Sequence, residues 1–93
     1  MELRDKVDIA LRRALPVQHV ELEDDRGIYG MVVSKWFEGV SALNRQLEID
    51  KILRDPSAKI TALQRRRVML IVPLTPREYK YSFARSNMGG GGL

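Results

Sequence analysis

The sequence contains no cysteine. That absence excludes disulfides, thiolate metal sites and cysteine nucleophiles together. The fold must rest on apolar packing, which suits a reducing compartment. Histidine is nearly absent too. His19 is the only one, so a Ser-His-acid site would have to use it, and no serine lies in a nucleophile elbow. Neither a P-loop nor a G-x-G-x-x-G occurs. No segment approaches the ~20 apolar residues of a membrane span, and no apolar run follows Met1-Glu2-Leu3-Arg4-Asp5 as a secretory signal requires. At 93 residues the chain is one domain. A domain of this size buries only about 60–65% of its unfolded surface, too little to enclose a sizeable catalytic cavity. These absences lead to the expectation of a soluble, cytoplasmic, non-enzymatic protein that holds no cofactor.

What is present is an asymmetry of charge. Residues 1–50 carry 7 basic and 10 acidic side chains, net −3, while residues 51–93 carry 9 basic and 2 acidic, net +7. The basic half contains the run Arg65-Arg66-Arg67, then Arg77, Lys80 and Arg85. Such polarity steers a polyanion or an acidic protein surface toward one side, or it is a solvated basic face.

Leu3, Val7, Leu11 and Leu15 recur at helical spacing and Pro16 stops them, which predicts a helix over about 2–15. Val20 and Leu22 alternate with His19, Glu21 and Glu23, the pattern of a half-buried strand over 17–23. Asp24-Asp25-Arg26-Gly27 supplies a turn, and 28–34 reads as a second strand, antiparallel to the first if the two form a hairpin. A second helix is predicted from about 40 to 53, with Val40, Leu43 and Leu47 on one side and Ile49, Ile52 and Leu53 on another, so that it is covered on two sides or bends. Asp55-Pro56 starts a short helix over about 56–66. Val68 to Val72 is continuously apolar, the pattern of a strand covered on both faces. Thr75, Pro76 and Glu78 have the spacing of a helix start with a capping box. The last helix holds Tyr79 and Phe83, and residues 87–93 read as a flexible Gly-rich tail after a domain spanning 1–86.

Two segments of this chain resemble one known family. The stretch Ser34-Lys35-Trp36-Phe37-Glu38-Gly39-Val40-Ser41-Ala42-Leu43-Asn44-Arg45 follows the pattern S-x-x-F-x-G-x-S-x-x-x-R, and the strand ending at Leu74 runs into Thr75-Pro76-Arg77-Glu78-Tyr79. Both resemble BolA-like proteins, whose signature takes in Ser34, Phe37, Gly39, Ser41, Arg45, Thr75, Pro76 and Glu78. The resemblance covers roughly Leu3 to Tyr81. It implies an α+β fold of order αββααβα, similar to the type II KH fold, with a three-stranded mixed sheet and helices packed on one face. It also implies one of two activities, a stress-response regulator that contacts nucleic acid or a partner of monothiol glutaredoxins in iron–sulfur handling. In the second activity a histidine at the start of the last strand commonly ligates a shared [2Fe–2S] cluster, with a His or Cys from the loop between the first two strands. Those places fall at Arg67 and near Ile28, and neither side chain can ligate. The chain also departs from the basic run R-H-R, having Arg45-Gln46-Leu47.

Two readings compete at each candidate site. Arg45 adds charge to a phosphate site built from the Gly39 backbone and the helix start, or it pairs with an acid such as Glu38 or Glu48 while Gly39 only relieves strain. Arg65, Arg66 and Arg67, with Lys35, contact phosphates in a salt-dependent way, or they are surface charges facing the acidic half. Gly39 is alone, so the G-x-x-G clamp of KH domains is missing. Phe37 is core. Trp36 is an exposed recognition residue for a protein partner or a half-buried edge residue. His19 and Glu21 share a strand face but make an incomplete metal site. The first reading of function is a regulatory module binding DNA or RNA through Lys35, Arg45, Arg65, Arg66 and Arg67. The alternative is an adaptor docking a monothiol glutaredoxin without supplying cluster ligands. The expected assembly is a monomer or a weak homodimer formed through the second helix or an open sheet edge.

Overall fold

A computed structural model describes residues 1–82 of the chain. Helix α1 (Leu3–Ala14) leads into strands β1 (Val17–Asp24) and β2 (Ile28–Ser34). A 3₁₀ turn, Lys35–Phe37, precedes helix α2 (Ala42–Arg54), and a second, Pro56–Ala58, precedes the short helix α3 (Ala62–Arg65). Strand β3 (Val68–Leu74) and helix α4 (residues 76–82) complete the order αββααβα. The sheet is mixed, in the order β1-β2-β3, with β1 antiparallel and β3 parallel to the central β2.

The core lies between one face of this sheet and the two long helices. Leu3, Val7, Ala10 and Leu11 of α1 and Ile49, Ile52 and Leu53 of α2 meet Val20, Ile28, Val32 and Ile71 of the sheet. The α1 residues recur every three to four positions, so a single stripe faces inward. Ser41 starts α2, its Oγ accepting from the Asn44 N–H at 3.2 Å. Phe37, in the turn before α2, is fully buried in the same core.

Three sequence expectations need correction. The helix expected over 56–66 is broken, because Lys59 takes a left-handed backbone (φ 57°) after Pro56–Ala58. Thr61 then starts α3 afresh through a capping box with Gln64. Helix α2 is covered on one side only. Ile49, Ile52 and Leu53 are buried, whereas Leu43 and Leu47 stand 68% and 56% exposed. Strand β3 is not covered on both faces, since Met69 and Leu70 are 55% and 52% exposed and Val72 is exposed too. A run of five apolar residues cannot say which face is open. Phe83, Arg85, the domain end at 86 and the tail 87–93 lie outside the described residues. No helix among the described residues is long and apolar enough to cross a membrane.

Gly30 sits in the middle of β2, between Leu22 of β1 and Ile71 of β3. A Cβ built there would run into the Glu21 carbonyl and approach Leu22 Cα at 2.9 Å. Gly30→Ala should therefore force β1 and β2 apart and cost about 1–3 kcal/mol. Urea unfolding checks this, and an unchanged midpoint would mean the hairpin spreads freely.

Candidate functional site

The signature residues converge at one end of the sheet, where β2 and β3 both finish. Arg45, one turn into α2, turns inward, and its side chain is only 14% exposed. Its Nε–H donates to the Val40 carbonyl at 2.8 Å. Nη1 donates to the Pro73 carbonyl at 3.3 Å and to Glu78 Oε1 at 2.7 Å, and Nη2 reaches Glu78 Oε2 at 3.4 Å. The guanidinium carbon also lies 5.9 Å from the centre of the Phe37 ring, within cation–π range.

Glu78 is held from its own side as well. The Thr75 N–H donates to Glu78 Oε1 at 2.8 Å, and the Glu78 N–H donates to Thr75 Oγ1 at 3.1 Å, the two halves of a capping box. The Arg45 guanidinium first, and then the Thr75 N–H, hold the Glu78 carboxyl below its ordinary pKa. The remaining signature residues also have mechanical tasks. Ser34 is buried, its Oγ donating to the Pro16 carbonyl and accepting from the Trp36 N–H, both at 3.1 Å. Gly39 has φ +73°, a left-handed backbone that L side chains avoid, although a Cβ there would meet nothing within 4 Å. The required glycine is a matter of backbone angle, not of space.

Helix α2 also guards the outer edge of β3. Carbonyls two residues apart point to the same side of a strand. Those of Ile71 and Pro73 accept from Gln46 Nε2 at 3.2 Å and from Arg45. Pro73 has no N–H to offer. Neither role was legible in the sequence. The sequence offered Arg45 either a phosphate or a nearby acid such as Glu38 or Glu48; the acid it meets is Glu78, 33 residues on. The only signal was that Arg45 and Glu78 both belong to the signature.

The five basic candidates fall into two groups. Lys35 and Arg45 lie beyond the C-terminal end of β2, and Arg65–Arg67 lie before the N-terminal end of β3. Since β2 and β3 run parallel over about six residues, the groups are roughly 20 Å apart. Arg65 Nη1 donates to the Ile60 carbonyl at 3.2 Å, and Arg67 Nη2 lies 3.5 Å from Asp24 Oδ1. Lys35 and Arg66 are exposed. Trp36 is half-exposed and packs edge-on against Phe37, with ring centres 5.7 Å apart.

The two positions where the resemblance places cluster ligands come together. The Ile28 N–H donates to the Arg67 carbonyl at 2.7 Å. Their side chains do not fit an iron–sulfur cluster, because Ile28 is buried without a donor atom and Arg67 offers only N–H groups and pairs with Asp24. His19 lies at the other end of the sheet, with its ring 5.3 Å from that of Tyr79. Its Nε2 is enclosed and lies 3.3 Å from Glu21 Oε1, without hydrogen-bond geometry. No group of three or more His, Cys, Asp or Glu able to hold a metal occurs among the described residues.

The reverse face of the sheet carries the exposed apolar side chains. Register places Leu70 beside Tyr29 and Val72 beside Met31, with Glu23 and Glu21 completing each row on β1. Tyr29, Leu70 and Val72 are exposed. Val33, in the row with His19 and Leu74, is buried but stands apart from the main core.

No protein-family model and no curated protein matches this sequence. Solved structures do resemble it. BolA1 from Arabidopsis thaliana superposes with a TM-score of 0.65 at 20% identity, over 84% of this chain and 96% of that one. A Bol-like protein from Babesia bovis gives 0.65 at 24% identity, over 88% and 94%. The BolA domain of SufE1 from Arabidopsis thaliana gives 0.65 at 24% identity, over 84% and 96%. The chain thus has a divergent BolA-like fold.

Removing the Arg45 clasp should cost more than an ordinary surface pair. Arg45→Met leaves the Pro73 carbonyl and the Glu78 carboxylate short of a donor and should lower stability by about 1.5–3 kcal/mol. Arg45→Lys should recover little, since one ammonium cannot replace a planar fork bonded in three directions. Because the Glu78 pKa is depressed in the folded state, its contribution is present above the unfolded value of about 4.5 and fades as pH falls through the lower folded value. Urea midpoints of the parent should therefore fall on acidification below about pH 4.5, and Glu78→Gln should flatten that decline. Parallel curves for the two proteins would contradict the assignment.

Proposed function

We propose that this chain is a non-catalytic binding module that docks a protein partner on the open face of its sheet, and that the partner is of the monothiol glutaredoxin class. The observation that supports the reading is the apolar side of β3, where Leu70 and Val72 are exposed beside Tyr29 of β2. Grouped apolar side chains rimmed by charge, here Glu21 and Glu23, are the surface that protein partners cover. The BolA domain of SufE1 is a similar fold carried within a larger protein, which suits a module that works by contact. The partner class rests on the family resemblance. Docking would proceed without cluster sharing, because Arg67 and Ile28 stand at the ligand positions.

The non-catalytic part of the reading draws on how the polar groups are occupied. Ser34, Ser41 and Ser57 are engaged with backbone or with a neighbouring carboxylate. The His19 ring lies 5.3 Å from that of Tyr79, and none of the three serines bonds it. A second reading, contact with DNA or RNA, draws on Arg66 and Lys35, which are exposed and form no salt bridge among the described residues. It is weakened by the separation of the two basic groups, since phosphate tracking needs a continuous stripe.

Titrating the ¹⁵N-labelled protein with an apo monothiol glutaredoxin should give a saturable complex with shifts centred on Tyr29, Leu70 and Val72. Leu70→Glu should weaken it about tenfold or more, and Arg66→Glu should leave it unchanged. Fluorescence anisotropy with labelled DNA and RNA at two salt concentrations tests the second reading. Steeply salt-dependent binding lost in Arg66→Glu and kept in Leu70→Glu would replace the first reading with the second.

A further inference from the structure

On the helical side of the fold, between α1 and the C-terminal end of α2, lies a cleft of about 470 Å³. That volume falls within the range of small-ligand sites, roughly 300–1,000 Å³. Ile9, Ala10 and Ile52 give it an apolar floor. Lys6, Arg13, Lys51 and Lys59 give it a basic rim. None of these four cations forms a salt bridge among the described residues. Arg12 and Arg54, on the same two helices, do pair one turn back, with Asp8 and Asp50. On these two helices the cations without a salt bridge among the described residues are Lys6, Arg13 and Lys51 at the cleft and Arg4 outside it.

Two carboxylates, Glu48 and Asp55, also line it, which leaves a surplus of two positive charges. Asp55 is turned to its own loop. Its Oδ1 accepts from the Ser57 N–H at 2.9 Å and the Ser57 Oγ–H at 2.7 Å, and these bonds hold its pKa below the ordinary value. The rim is tied across the cleft by Lys6, whose Nζ donates to the Lys59 carbonyl at 3.1 Å. That carbonyl is presented by the left-handed backbone which broke the expected helix.

We propose that this cleft binds a small amphipathic anion, a free medium-chain carboxylate whose alkyl chain lies along Ile9, Ala10 and Ile52 and whose head sits among the rim cations. The tail gains by leaving water, and the head gains charge-assisted hydrogen bonds from ammonium and guanidinium donors. An uncharged tail forgoes the rim and a bare anion forgoes the floor, so the pairing of the two supplies the selectivity. The site is remote from the open sheet face and stands or falls apart from the docking reading.

The test is an NMR titration of the full chain with decanoate below its micelle concentration, alongside decanol, inorganic phosphate and phosphatidylglycerol vesicles. The expected result is saturable decanoate binding with shifts at Ile9, Ile52 and Ala58, weaker binding of decanol and phosphate, and no requirement for vesicles. Arg13→Gln combined with Lys51→Gln should weaken decanoate about tenfold. Both residues are exposed and their side chains make no hydrogen bond among the described residues, so the variant should fold as the parent does. Ile9→Glu, which places a carboxylate on the floor, should abolish binding and serves if the double variant unfolds. Equal binding of decanol, indifference to the substitutions, shifts located elsewhere, or binding to vesicles alone would each overturn the proposal.

Discussion

Arg45 joins the start of α2, the end of β3 and the first turn of α4. One side chain bonds the carbonyl just before α2, the carbonyl near the end of β3 and the carboxylate in the first turn of α4, while its flat face lies near Phe37. Burying such a charge is costly unless its hydrogen bonds are made. Here they are made in three directions, and Glu78 keeps enough contact with solvent to limit its own desolvation. Thr75 fixes Glu78 from the other side, so the carboxylate is held by the helix cap as well as by Arg45. Position matters as much as charge, because Gly39 and Ser41 set where α2 begins and so where Arg45 points. The signature S-x-x-F-x-G-x-S-x-x-x-R with T-P-x-E is therefore a set of instructions for closing one end of the sheet.

The same helix decides how this molecule can associate. An open strand edge invites pairing with another chain. Along β3 the outward carbonyls of Ile71 and Pro73 already accept from α2, and Pro73 brings no donor. Edge-to-edge pairing through this half of β3 would have to break those bonds first. On the reverse face Tyr29, Leu70 and Val72 are exposed, with Glu21 and Glu23 beside them. Contact with another protein is then favoured through the face, where side chains meet side chains, over the edge, where backbone would have to be freed.

Local chemistry was readable where one residue type has one job. Pro16 ended α1, Ser41 and Thr75 started helices, and alternation marked β1. What could not be read was set by distant parts of the chain. Whether Leu43 and Leu47 are covered depends on which side of α2 meets the sheet, and periodicity alone does not orient a helix with apolar residues on two sides. Lys59 is not a residue that announces a left-handed backbone, so the break before α3 had no local signal. Arg45 and Glu78 were each legible as signature residues, but their partnership is tertiary. Of the candidate site, the residues were found and their role was not. The structure turns Arg45 inward and splits the other cations between two ends of the sheet.

Scaffold and ligand chemistry are separable in this fold because different residues carry them. The closing network uses Ser34, Phe37, Gly39, Ser41, Arg45, Thr75 and Glu78, and all of it lies where β2 and β3 end. The positions that the resemblance reserves for cluster ligands lie where those strands begin, one sheet length away, and touch only through the backbone bond from Ile28 to Arg67. A backbone bond is indifferent to side-chain identity. Replacing a ligand there by isoleucine or arginine therefore leaves the pairing of β2 with β3 in place, and Arg67 gains a carboxylate neighbour in Asp24. A change in the closing network would instead leave buried polar groups without partners, and the cost would fall on folding itself. On these grounds a chain can retain the fold while the chemistry at the other end of its sheet changes, which is why binding on this molecule has to be argued from its own surfaces.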